Sequence, residues 1–256
     1  MTARTLRRSS VLALLTAATL GLAGLTVAPK SYAADDAEVY VIQGLPGRSV
    51  DVAFNGKTVA KGIGTAKVAG PFKIKSGTTK VTYSDGGEVL LEREWKVPAG
   101  ASQDVVVHLP AKGGEDPAIT VFRNDLSAVP QGKASLTVAH TARVGEADIR
   151  VDGKVLFADI ANGESLNLVV PVKTYKVAIV PAGKSEPVVL GPVSLTVKGG
   201  ALNRVYALGD PSKKTMNVAV HVIDVKNAGS GKPTWVKTGT GGQAATLQPT
   251  GPALWS

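Results

Sequence analysis

Ser49-Val-Asp-Val-Ala-Phe-Asn-Gly-Lys57 recurs, 97 positions later, as Glu146-Ala-Asp-Ile-Arg-Val-Asp-Gly-Lys154. In both versions apolar and polar residues alternate with period two. Val50, Val52 and Phe54 stand against Asp51 and Ala53, and Ala147, Ile149 and Val151 against Asp148 and Arg150. That alternation marks a half-buried strand. Asn55-Gly56 and Asp152-Gly153 follow at once. Both pairs suit a two-residue type I′ turn, which needs positive φ at two successive positions. The stretch is therefore the first half of a β-hairpin, written twice.

The correspondence extends without a gap upstream, where Ala37-Glu-Val-Tyr-Val41 aligns with Ala134-Ser-Leu-Thr-Val138. It resumes downstream, where Val97-Pro-Ala-Gly-Ala101 aligns with Val197-Lys-Gly-Gly-Ala201. A period near 97 is too long for a solenoid repeat and fits one whole small domain. No segment after residue 33 carries apolar residues at helical spacing for three turns. Further strands read as 80–84, 89–97 and 104–109 in the first copy and 175–180, 188–197 and 204–208 in the second. Asp85-Gly86-Gly87 turns one hairpin, and Pro181-Ala-Gly-Lys-Ser-Glu-Pro187 is its longer equivalent. Each copy ends with one more strand, Ile119-Thr-Val-Phe122 and Val218-Ala-Val-His-Val-Ile223. Seven or eight short strands per copy, with turns about every ten residues, point to an all-β chain of two tandem immunoglobulin-like antiparallel β-sandwiches. A small closed barrel is the competing architecture. The expected units are residues 34–128 and 133–225, with a link over Ser127 to Lys133 too short to allow much relative freedom.

Several of these stretches carry a family likeness. The two hairpins, the Val-Phe-Arg-Asn-Asp-Leu-Ser-Ala-Val-Pro-Gln-Gly-Lys junction (121–133) and the Val-Ala-His-Thr-Ala run (138–142) resemble exported actinobacterial proteins carrying domain of unknown function 4397. The resemblance spans about residues 37–225. It implies a secreted or envelope β-sandwich protein with no assigned reaction, and it brings no catalytic residue with it.

The two ends of the chain differ from this body. Arg4, Arg7 and Arg8 precede an uncharged run rich in Ala, Leu and Gly, and Ser31-Tyr32-Ala33 supplies small residues where a signal peptidase reads. This is the pattern of a signal peptide over residues 1–33, cleaved after Ala33. A transmembrane anchor is disfavoured by the Gly and Ala content and by the cleavage site. Ser10 sits where a twin-arginine signal carries a hydrophobic residue, which favours ordinary secretion. Residues 226–256 are dominated by Gly, Thr, Ala, Pro and Ser without alternation, the composition of a disordered tail. Within it, Leu247-Gln-Pro-Thr-Gly251 resembles a scrambled sortase motif, but only Pro252 to Ser256 follow, with no hydrophobic span.

Charge and composition narrow the function classes. Cleavage would remove Arg4, Arg7, Arg8 and Lys30 and no acid, leaving 25 basic residues against 20 acidic ones, a net +5. With scattered lysines and 5% aromatic residues, nothing indicates nucleic-acid binding. The chain has no cysteine, so disulfides, thiol chemistry and a lipidated cysteine are impossible.

Candidate site residues are few. His108, His140 and His221 are the only histidines, none has a histidine counterpart in the other copy, and no two lie at metal-ligand spacing. They read as surface or strand-end residues. Asp51 and Asp148 are acids kept by both copies, but no Asp-x-Asp loop surrounds them, so solvent-facing positions beside the hairpin are favoured over a cation site. Glu92 and Glu94 share a strand face, as a solvated charged face does more often than a glycosidase pair. No Gly-x-Ser-x-Gly elbow occurs. Trp95 aligns with Leu195, which favours core burial over a sugar platform. Trp235 and Trp255 fall in the tail. Catalytic, cofactor-binding and metal residues are therefore expected to be none. The chain reads as a secreted, non-enzymatic binding or scaffolding protein of the bacterial cell envelope. Its partner would be a cell-wall or surface component, met through sheet faces and end loops, with no nucleic acid and no stable membrane insertion. The alternative is an extracellular polymer hydrolase.

Overall fold

A computed structural model of the chain describes residues 36–112 and 116–228. The expected signal peptide (1–33) and all of the expected tail beyond Ala228, Trp235 and Trp255 included, lie outside the described residues. Every regular element among the described residues is a strand. The first copy supplies β1 (Ala37–Gln43), β2 (Ser49–Phe54), β3 (Lys57–Gly64), β4 (Val68–Ile74), β5 (Gly77–Asp85), β6 (Glu88–Val97), β7 (Ser102–His108) and β8 (Ala118–Arg123). After a short β9 (Val129–Pro130), the second supplies β10 (Lys133–His140), β11 (Ala147–Val151), β12 (Lys154–Ile160), β13 (Ser165–Pro171), β14 (Thr174–Pro181), β15 (Leu190–Thr196), β16 (Ala201–Leu208) and β17 (Asn217–Asp224).

The two copies have one topology. Sheets β4-β1-β7-β8 and β3-β2-β5-β6 make the first sandwich, and β13-β10-β16-β17 and β12-β11-β14-β15 make the second. All pairings within them are antiparallel except β1 with β7 and β10 with β16, which run parallel. Val39, Val41, Val52, Tyr83, Val105 and Val107 fill the first core. Leu136, Val138, Ile149, Val177, Ile179 and Val205 fill the second. The first residues assigned to the tail belong to the fold instead. Val129 N donates to Lys226 O, and Asn227–Ala228 forms a two-residue strand, β18, beside β9. The link and the chain's exit thus hold each other.

The repeated motif folds alike in both copies. Asn55 (φ 49°) and Gly56 (φ 80°) turn the β2–β3 hairpin, and Asp152 (φ 50°) and Gly153 (φ 83°) turn β11–β12. The Oδ1 of each turn residue then accepts a backbone bond from the neighbouring strand: Asn55 from Lys80 N at 2.8 Å, Asp152 from Lys176 N at 3.0 Å. The side chain that permits the turn also ties it to the sheet.

Candidate functional site at the junction of the sandwiches

Four strands are buried on both faces, and their second face builds the junction. Along β1, Val39 and Val41 point into the first core, while Ile42 and Tyr40 belong to a separate apolar cluster with Val106, Phe122, Ala139, Tyr206, Leu208 and Ala219. That cluster draws on both copies. The inner sheets, β4-β1-β7-β8 and β13-β10-β16-β17, therefore pack against each other, which accounts for the complete burial of β7 and β16.

A polar network crosses this apolar seam. Asp104 on β7 is fully buried. Its Oδ2 accepts hydrogen bonds from Tyr206 Oη and from His221 Nδ1, the latter at 3.0 Å. Its Oδ1 accepts from Asn124 Nδ2 at 2.7 Å. Arg204 Nε lies 4.0 Å from Oδ2, and Arg204 Nη2 donates to Arg123 O across the junction. Tyr40 stacks obliquely on His221, with ring centroids 4.2 Å apart, and the Arg204 guanidinium lies over the Phe122 ring. Burial and the Asp104 carboxylate both push the Tyr206 phenol well above its ordinary pKa, so it stays a donor.

Equivalent positions of the two copies meet here as complements. The strand registers place Asp104 where the second copy has Arg204, Val106 where it has Tyr206, and Ile42 where it has Ala139. Two identical sandwiches would set like charges and like volumes against each other. These two set an acid against a base and a large side chain against a small one. A buried ion pair of this kind need not add net stability, but removing one partner alone leaves the other charge desolvated.

The three histidines were expected at the surface or at strand ends. His108 and His140 do end their strands, β7 and β10, and His221 lies within β17, but none is at the surface: exposure is 1% for the first two and 7% for His221. Each sits on a strand of an inner sheet, where the second buried face needs polar atoms satisfied locally. His108 Nδ1 bonds Leu109 O at 3.0 Å, so Nε2 accepts from Thr120 Oγ1 at 2.8 Å in the neutral ring. Desolvation, aided by nearby His140, lowers the His108 pKa to about 4 despite the bond to Leu109. Desolvation lowers that of His140 as well. His140 Nε2 bonds Gly145 O at 2.9 Å, and Gln43 at the matching position bonds Arg48 O at 2.7 Å. Two residue types thus do one task, closing the loop after the first strand of each copy. Pairwise comparison of residue identities had hidden this.

The repeated acids are also structural, though not as expected. Asp51 is half-buried and Asp148 is buried. Asp51 Oδ1 accepts from Gly62 N at 2.8 Å, and Asp148 Oδ1 from Asp159 N at 3.0 Å. Both donors adopt positive φ, 65° and 56°, where the β2–β3 and β11–β12 registers slip. Each acid therefore pins a β-bulge. Asp148 Oδ2 also holds Gly183 N at 3.0 Å. Glu92 accepts from Thr82 Oγ1 and Lys80 Nζ on the open face, and the Thr82 bond leads in lowering its pKa. Trp95 is half-buried against both apolar clusters of the first sandwich, with Nε1 on Gln103 Oε1 at 3.1 Å. Among the described residues no group of three or more His, Asp or Glu side chains is placed to hold a metal ion.

At one end of the junction the loops of both copies leave a cleft of about 230 Å³. Leu90 and Leu109 line it from the first sandwich together with Arg48; Arg143, Asp210 and Lys213 line it from the second. Asp210 is buried, its Oδ1 accepting from Ser212 N and Oγ at 2.9 and 2.6 Å, and its Oδ2 lies 3.9 Å from Arg143 Nε. Burial raises the Asp210 pKa, but the Ser212 bonds outweigh it and hold the carboxyl below its usual value. Arg143 N donates to Gly209 O, fixing the base of the side chain. Arg48 Nη1 pairs with Asp85 Oδ2 at 3.2 Å.

Residues 37–150 match the family described as domain of unknown function (DUF4397). The match takes in the whole first sandwich, crosses β9 and β10, and stops inside β11. The match covers that segment alone. The likeness expected on to residue 225 is not seen as a second match, although the second copy repeats the first strand for strand. No curated protein matches the chain.

Proposed function

We propose that this protein is an exported, non-catalytic binding or scaffolding module of the bacterial cell envelope, its two sandwiches forming one preset frame. The observation that carries the reading is the use made of the buried polar side chains. Asp104, Arg204, Tyr206 and His221 join the sandwiches, Asp148 pins a bulge, and His108 and His140 hold strand ends and loops. Groups of the types that do acid–base or nucleophilic chemistry are thereby committed to holding backbone and junction in place. What the frame presents outward is sheet faces and, at the junction's end, a cleft built by loops from both copies, the usual place for recognition on a rigid scaffold. The N-terminal signal pattern and the resemblance to exported actinobacterial proteins support an envelope setting.

The test is to incubate the mature protein with envelope material of its own cells, with and without EDTA, and to screen it against esterase, glycosidase and peptidase substrates. Saturable retention that EDTA does not change is expected, with no turnover. Turnover that disappears on mutating one acidic, histidine or serine residue would overturn the reading.

A further inference from the structure

We propose that the outer edge of β13 pairs with the same edge of a second copy of the chain, about a two-fold axis through Asn167. The inference goes beyond the binding-module reading and does not depend on it. β13 ends its sheet, with β10 on one side and no strand on the other among the described residues. His140 N donates to Glu164 O at one end of this pairing, and Val172 N to Gly132 O at the other. Both ends bond the phase of Leu166, Leu168 and Val170 to β10, so Ser165, Asn167 and Val169 turn their backbone N–H and C=O outward. Pro171, which has no N–H, falls in the same outward phase and ends the row.

The equivalent edge of the first sandwich is closed to such pairing. β4 carries Gly70-Pro71, a register slip against β1 and an exposed Lys73, all devices that blunt an edge. β13 has none of them before Pro171: it bears no charge, its register with β10 runs without a slip, and Leu166 and Val169 are exposed, Val169 by 57%. The row is also its own complement. Antiparallel pairing centred on Asn167 sets Ser165 of each chain against Val169 of the other and Asn167 against itself, and each pair exchanges both main-chain hydrogen bonds. On the core-facing side it sets Leu166 against Leu168 of the other chain. Centring on Val169 instead would place Pro171 opposite Asn167 and lose a bond. Val155 and Leu156 of β12, both exposed, share a groove with Leu168 and Pro171, so apolar surface continues beyond the strand. A two-fold pairing of this kind closes on itself and leaves neither copy of the edge open.

Sedimentation equilibrium of the mature chain tests this. Dimers are expected with a Kd on the order of 10 µM, as suits an interface at the small end of the stable range. Val169→Pro removes only an outward N–H, so it should weaken the dimer about tenfold or more and leave the thermal midpoint of the dilute protein unchanged. Asn167→Cys should cross-link under air into a covalent dimer, because facing Cα atoms of a hydrogen-bonded pair lie about 5.5 Å apart and the chain has no other cysteine. Ser165→Cys alone should not cross-link, and Ser165→Cys combined with Val169→Cys should. A chain still monomeric at about 500 µM, open-ended polymers, dimers indifferent to Val169→Pro, or an Asn167→Cys chain that stays uncross-linked would each overturn the proposal. Dimers that form only when the chain is cut after Ala228 would overturn it as well and give the edge to the chain's own C-terminal segment.

Discussion

Replacing Asp104 by Ala removes the acceptor on which the junction converges. The side chain is fully buried, and its loss strips Tyr206 Oη, His221 Nδ1 and Asn124 Nδ2 of a partner at once. It also leaves the Arg204 side chain, 5% exposed, without its countercharge. Breaking a buried pair from one side typically costs about 3–5 kcal/mol, because the surviving charge stays desolvated. For a protein of this size each kcal/mol moves the thermal midpoint by about 2–4 °C, so a fall on the order of 10 °C is expected. Calorimetry and guanidinium denaturation followed by circular dichroism measure it. The single cooperative transition expected of the wild type should broaden or split, since the lost Tyr206 and His221 bonds lie between the sandwiches. Asp104→Asn keeps the shape and one acceptor oxygen and should lose about half as much. Adding Arg204→Met to Asp104→Ala should recover part of the loss, because it removes the stranded charge, while Tyr206 Oη, His221 Nδ1 and Asn124 Nδ2 still lack the Asp104 acceptor. A loss below about 1 kcal/mol, the scale of an exposed pair, would refute the reasoning.

Acid should weaken the fold through its buried histidines. The folded His108 pKa lies near 4 against 6.5 for the free ring, so the unfolded chain binds more protons in between and stability falls as pH drops through that window. The loss reaches about 3 kcal/mol at pH 4 from His108 alone, and His140 adds to it in the same direction. Urea midpoints at several pH values, compared with His108→Gln, should show the slope reduced in the variant; equal slopes would contradict the assignment. Gly56→Val and Gly153→Val should each cost on the order of 1 kcal/mol or more by denaturation, purely through backbone strain, since φ is about 80° at both and a new Cβ would meet nothing within 4 Å. Asp148→Ala should cost more than Asp51→Ala, roughly 2 against 1 kcal/mol, because Asp148 holds two backbone amides in a buried place and Asp51 one in a wetter place.

The hairpins and the doubled sandwich were legible because turn chemistry and period-two alternation are local. Strands β4 and β13 were not. Val68-Ala-Gly-Pro-Phe-Lys-Ile74 contains a Gly-Pro pair that reads as a turn, and in Ser165 to Pro171 the alternation lasts only four residues before Val169-Val170-Pro171 breaks it. The packing of the inner sheets was missed although a signal for it exists. Val105-Val106-Val107 and Val205-Tyr206-Ala207-Leu208 are unbroken apolar runs, the mark of strands buried on both faces. Read together with the Asp104 and Arg204 equivalence, they would have shown a junction and moved the histidines inside. The Asp148 clamp could have been inferred from its shared spacing with Asp51 to the bulge, but the cleft could not. Its walls come from loops of different length in the two copies, such as Leu109 and Asp210, and no periodic pattern records which loops end up side by side.

Residual dipolar couplings of backbone amides in the weakly aligned mature chain test the preset frame most directly. If the Asp104 network and the apolar seam hold the sandwiches in one orientation, a single alignment tensor will fit the amides of β1–β8 and β10–β17 together. Tensors that differ in magnitude or direction between the two sets would mean that the sandwiches reorient independently, and neither the frame nor the composite cleft would survive.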